Sequence, residues 1–103
     1  MSSKRPDLEQ AAALTATALV PLGRKPSEVK IAGITDGLID QEVLLAAAVE
    51  HLPGGAVARA TWEGLVFQGP EDTPLGNWAH SRALARTVRR MTEIMSAAPK
   101  AVR

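Results

Sequence analysis

The stretch from Asn77 to Ala97, NWAHSRALARTVRRMTEIMSA, constrains this chain more than any other. Leu84, Val88, Met91 and Met95 recur at spacings of four, three and four, which places them on one side of a helix. Arg82, Arg86 and Arg90 recur at fours on another side, with Arg89 beside them. Such a helix must bury its apolar side and leave its cationic side in water or in ion pairs. Trp78 and Ile94 flank the apolar stripe. Asn77 suits the N-cap and Pro74 an early first-turn position, while Pro99 closes the helix.

The remaining residues must supply the surface on which that stripe docks. Asp7 with Gln10 makes an N-cap pair for a first helix, in which Leu8, Ala11, Ala12, Ala18 and Leu19 share a side. Thr15 interrupts that side, so it must bond a carbonyl one turn back or sit at the edge. Pro21 and Gly23 end this helix, and residues 20–34 read as helix or irregular structure. A second long helix starts at Thr35 or Asp40, with Asp36, Asp40 and Glu42 near its positive end. Its segment VLLAAAV is apolar on nearly every side, which predicts the most buried helix and the docking surface for the last one. Pro53-Gly54-Gly55 ends it. Residues 56–69 read as a helix weakened by Gly64, or as a β-hairpin over 56–68; the alanines favour the helix and Trp62, Val66 and Phe67 the hairpin. GPEDTPLG, residues 69–76, is a loop under either reading.

The expected fold is therefore mainly α, a compact small helical domain of three to five helices, with a hairpin at 56–68 as the alternative. At 103 residues the chain has enough surface to bury for one core, so a single domain over 1–103 is expected, with 1–6 and 99–103 as loose ends. Apolar residues that are mostly Ala, Val and Leu suit close helix packing.

Several function classes fall away on composition. Without cysteine there is no disulfide, thiolate metal site or cysteine nucleophile. His51 and His80 are isolated and lack metal-ligand spacing; His51 suits a helix end. No GxSxG, P-loop or GxGxxG occurs, and Gly23-Arg24-Lys25-Pro26-Ser27 has only the composition of a phosphate loop. Asp36, Asp40 and Glu42 read as a solvated helix start rather than a carboxylate site. The expectation is no enzyme, no cofactor and no metal. The longest apolar run, Val43–Val49, is too short to cross a bilayer. Lys4 and Arg5 precede an apolar segment as in a secretory signal, but Asp7 and Glu9 sit where its hydrophobic region would begin, so a cytoplasmic protein is expected. The alanine and arginine richness is that of a GC-rich bacterial or phage coding sequence.

Net charge is +1, unevenly spread. Residues 1–30 carry +2. Residues 31–75 set Arg59 against seven carboxylates, giving −6, and residues 76–103 set six basic residues against Glu93, giving +5. Such a chain either neutralises itself internally or presents its basic end to a polyanion.

The segment Ser81-Arg82-Ala83-Leu84-Ala85-Arg86-Thr87-Val88-Arg89-Arg90-Met91 resembles the recognition helix of winged helix-turn-helix proteins. The resemblance implies that Ser81, Arg82 and Arg86 approach bases while His80, Arg89 and Arg90 meet phosphates. Where that family continues with a glycine and a strand into the wing, this chain has Ile94-Met95-Ser96-Ala97-Ala98-Pro99, and the preceding loop is longer than the usual tight turn. Two functions follow as expectations: a small, dimeric DNA-binding regulator using the last helix, or an interaction or assembly module whose arginines meet an acidic protein surface, including residues 36–72 of another copy. A third is an enzyme whose site forms between chains.

Overall fold

The computed structural model describes residues 8–97, and the expected Asp7 cap, the Pro99 stop and both terminal segments lie outside them. Four helices follow one another: α1 (Leu8–Ala18), α2 (Glu28–Val49), α3 (Gly55–Gln68) and α4 (Gly76–Ala97), with a 3-10 turn at Leu22–Arg24. No strand occurs among the described residues, so residues 56–68 take the helical alternative.

The helices alternate in direction. Asn77 Nδ2 donates to Glu28 Oε1 at 3.2 Å, which sets the N-termini of α2 and α4 side by side. α1 runs the other way: Gln41 Nε2 donates to Gln10 Oε1 at 3.3 Å, and Leu14 lies over Gly37. α3 also runs against α2, its Arg59 reaching Glu50 just past the α2 C-terminus at 2.7 Å. α2 and α4 form the central pair, with the most extensive packing in the molecule. α1 and α3 each pack on both of them and make no contact with one another. The centre is therefore two long helices thick, with one short helix along each edge.

The core follows from the periodicity. Trp78, Leu84, Val88 and Met91 of α4 are wholly buried, Ile94 nearly so, and Met95 packs against them half-buried. They meet Ile31, Ile34, Leu38, Leu45 and Val49 of α2. Ala11 and Ala18 of α1 and Ala58 of α3 contribute small side chains that let the edge helices sit close. Glycine makes the connection between α2 and α3 possible, at two positions. Gly54 sits at φ +82°, a region side-chain-bearing residues rarely adopt. At Gly55 a Cβ would fall 1.6 Å from the Val49 carbonyl oxygen, so the turn between α2 and α3 admits no side chain there.

Four sequence expectations are corrected. α2 begins at Glu28, not at Thr35 or Asp40, because Ser27 caps it: Ser27 Oγ accepts from the Lys30 backbone N–H at 3.2 Å. Only one side of α2 is buried; Val43 is 52% exposed and Ala47 and Ala48 face outward, since α2 has neighbours on one side only. Thr15 is buried on the inner side of α1 without a hydrogen-bond partner, whereas Thr17 makes the bond to a carbonyl one turn back, Ala13 O at 2.9 Å. Asn77 lies inside α4 and ties it to α2 instead of capping it.

Candidate functional site

The six residues expected to touch DNA separate into four environments. Ser81 is wholly buried, and its hydroxyl has no hydrogen-bond partner. It lies on the inward side of α4, between Trp78 and Leu84, and cannot meet a base.

Arg82 is half-buried and held. Its Nη1 donates to the Ala18 carbonyl at 3.1 Å and to the Val20 carbonyl, and its guanidinium lies 5.7 Å from the centroid of the Trp78 ring. These carbonyls are at the end of α1, where backbone acceptors run out of intrahelical donors. A fixed cation there also opposes the negative end of the helix dipole. Arg82 therefore ties α1 to α4 and closes off the end of α1, a structural task that holds its guanidinium in place through Nη1.

His80 is half-buried on the opposite flank of α4 from the arginines. With Asn77 it lines a groove of about 340 Å³ against Glu28, Ile31, Asp36, Ile39 and Val66. Burial holds its pKa below the ordinary 6.5, so it is neutral at pH 7 and gives a phosphate no cation.

Arg86, Arg89 and Arg90 remain, all exposed on one strip of α4. The strip runs between the two edge helices. Arg89 lines a cleft with Ala12, Thr15, Ala16 and Leu19 of α1, and Arg90 a cleft with Val57, Ala58 and Thr61 of α3. The walls that the edge helices supply are thus uncharged, and Glu93 of α4 itself is the one carboxylate in the Arg89 cleft. Among the described residues no carboxylate comes within ion-pair distance of Arg86 or Arg89, and Arg90 meets only Glu93, at 3.9 Å. The acidic middle of the chain does not neutralise the strip: Asp36 lines the groove on the other flank of α4, with Asn77 and His80, and Asp40 lies beside Gln10 and Gln41.

The third carboxylate of that group behaves differently. Glu42 is wholly buried, neither carboxyl oxygen has a hydrogen-bond partner, and burial pushes its pKa from 4.5 to about 9. It is a neutral acid at pH 7, one turn from buried Leu38, Leu45 and Ala46, and not part of a solvated helix start. The heptad run Ile31, Leu38, Leu45 with Ile34 and Val49 was the signal that places it inside.

Among the described residues no three His, Asp or Glu side chains gather as a metal site would require, and no helix is long and apolar enough to cross a membrane. No family model matches this chain, and no curated protein or solved structure proved similar to it.

Proposed function

We propose that this chain is a small, non-enzymatic cytoplasmic protein that binds duplex DNA through the exposed arginine strip of α4. The observation that carries this reading is the state of Arg86 and Arg89: exposed, side by side with Arg90, and without a carboxylate partner among the described residues. An exposed arginine that forms no ion pair keeps its full charge for an external anion, and its planar fork matches a phosphate bidentately.

The reading narrows the expectation from sequence. With Ser81 buried and Arg82 held by α1, Arg86 alone of the three side chains assigned to base edges stands free on the surface. The strip also runs between two flanking helices, whereas a recognition helix must enter a major groove about 12 Å wide and 8.5 Å deep. Contact is therefore to the phosphate backbone, with little sequence preference. Three phosphate contacts give a slope of log K against log salt of about −2.7.

The test is fluorescence anisotropy with a labelled duplex at several salt concentrations. Replacing Arg86 and Arg89 together by alanine is expected to weaken binding and reduce the slope by about 2, with thermal melting unchanged. Absence of salt-dependent binding to any duplex removes the proposal. A second reading has an observation of its own: Asp36 and Asp40 are exposed and stand apart from the strip, so one copy offers acids where another offers arginines. In that case Arg86→Glu lowers the assembled mass without DNA present.

A further inference from the structure

The groove on the His80 flank of α4 lies away from the arginine strip and takes no part in the proposed contact with DNA. Three helices enclose it. Ile31 and Ile39 of α2 give it an apolar floor, Val66 comes from the last turn of α3 with Pro70 just beyond, and His80 comes from α4. Its volume of about 340 Å³ falls at the low end of the range for small-molecule sites, which set a few convergent polar groups in an apolar lining.

The free polar groups of this groove are mainly acceptors. Asp36 is exposed at its edge and, among the described residues, has neither an ion pair nor a hydrogen bond. Glu28 differs: Lys25 at 2.6 Å and Asn77 at 3.2 Å already match it, so its charge is balanced within the chain. The Val66 carbonyl lacks its helical donor, because the residue four places on is Pro70, which has no N–H. α3 ends at this groove, and the negative end of its dipole favours a cation. His80, half-buried and neutral at pH 7, adds a ring nitrogen that can accept and no positive charge that would repel one. Among the described residues no lysine or arginine lines the groove.

We propose that this groove binds a small organic amine in its ammonium form, with the ammonium at Asp36 toward the C-terminus of α3 and the apolar body over Ile31 and Ile39. Charge complementarity selects this occupant. An anionic ligand would meet Asp36 and Glu28 with no cation in the lining to offset them. A neutral apolar ligand would gain the floor but leave Asp36 without a counter-charge. An ammonium on an apolar stem uses both, and its three donors suit a carboxylate, a carbonyl and a neutral imidazole.

The exposure of the groove sets the strength of binding. Asp36 stands in water, where an ion pair contributes little, so the apolar floor supplies most of the affinity. For an amine of about nine non-hydrogen atoms this gives a Kd on the order of 1 mM. The charge then accounts for selectivity among ligands of one shape more than for affinity.

Titration of the protein with 2-phenylethylammonium at neutral pH, without DNA, followed by proton–nitrogen NMR, tests this site alone. Saturable shifts are expected at Ile31, Ile39, Val66 and His80, and none at Arg86 or Arg89. 2-Phenylethanol, of the same shape without the charge, should bind about fivefold more weakly. Asp36→Asn should bring the ammonium down to the level of the alcohol while melting as wild type does, because Asp36 is exposed and unpaired. The absence of saturable shifts at tens of millimolar amine overturns the proposal. So does an alcohol that binds as tightly as the ammonium, or an Asp36→Asn variant that binds the ammonium as wild type does. Salt-dependent DNA binding, which the Arg86 and Arg89 replacement reads, stands or falls separately.

Discussion

Replacing Glu42 should stabilise this protein, and by an amount that depends on pH. Glu42 is wholly buried in α2 with both carboxyl oxygens unpartnered, and burial alone raises its pKa from 4.5 to about 9. In the unfolded chain the carboxyl ionises near 4.5. Between pH 4.5 and 9 the folded state holds a proton that the unfolded state has released, so stability falls as pH rises across that window, by about 1.4 kcal/mol per unit. It is fully retained below pH 4.5 and lost progressively as pH rises to about 9. At pH 7 the accumulated cost is about 3 kcal/mol, a substantial share of the ~5–15 kcal/mol that holds a domain together. Glu42→Gln removes the titration and keeps a buried polar group. Glu42→Met removes both, with little change in volume. The melting temperature should rise by about 10–20 °C at pH 7 for a domain of this size. Urea denaturation of wild type and both variants from pH 5 to 8 is the measurement. His80, with its lowered pKa, contributes a slope of opposite sign, because it binds its proton less readily when folded; it is common to all three proteins and cancels in the difference. The difference between variant and wild type should widen by about 4 kcal/mol over those three pH units. A difference that does not change with pH would refute the burial of Glu42 as a neutral acid.

Two further outcomes distinguish structural from free side chains. Arg82→Ala should cost about 2 kcal/mol of stability, because it strips charge-assisted hydrogen bonds from the Ala18 and Val20 carbonyls and the contact with Trp78, whereas Arg86→Ala should stay within about 0.5 kcal/mol. Equal effects in urea denaturation would contradict the placement of Arg82. Leu45→Asp should unfold the domain, since it puts an unpaired charge at a position with no exposure; a soluble variant that melts cooperatively would overturn the role of α2 as the core helix.

The parts of this fold that could be read from sequence are those set by local chemistry. Pro53-Gly54-Gly55 and the loop at 69–76 break the chain where their backbone preferences say they must, and the stripe Leu84, Val88 and Met91 dictated how α4 is buried. Thr35 and Asp40 offer helix starts as Ser27 does, so local chemistry does not choose where α2 begins, and Gly37 falls among these candidates without ending the helix. Gly37 is in fact where Leu14 of α1 packs, its Cδ1 3.0 Å from where a Cβ would stand, and that reason lies in another helix. The reading of α3 turned on the same limit: its residues divide their preferences between helix and strand, and the choice depends on the small Ala58 packing against the bundle. The site was half legible. Arg82 and Arg86 occupy equivalent places in the repeat, and only the position at which α1 ends decides which of them is taken for structure.

The packing of α2 against α4 explains why the charge division along the chain becomes a division in space. Two central helices that bury their facing sides must expose their opposite ones. Of the carboxylates of α2, Asp36 stands by the His80 flank of α4 and Asp40 beside Gln10, both away from Arg86, Arg89 and Arg90, while Glu42 is caught in the core and loses its charge. Among the described residues Glu93 is the carboxylate that meets the strip, at Arg90. The short edge helices add no charge beside the strip, since Ala12 and Ala16 of α1 and Val57 and Thr61 of α3 line its two clefts. On the proposed reading, the strip takes its anionic partner from outside the protomer.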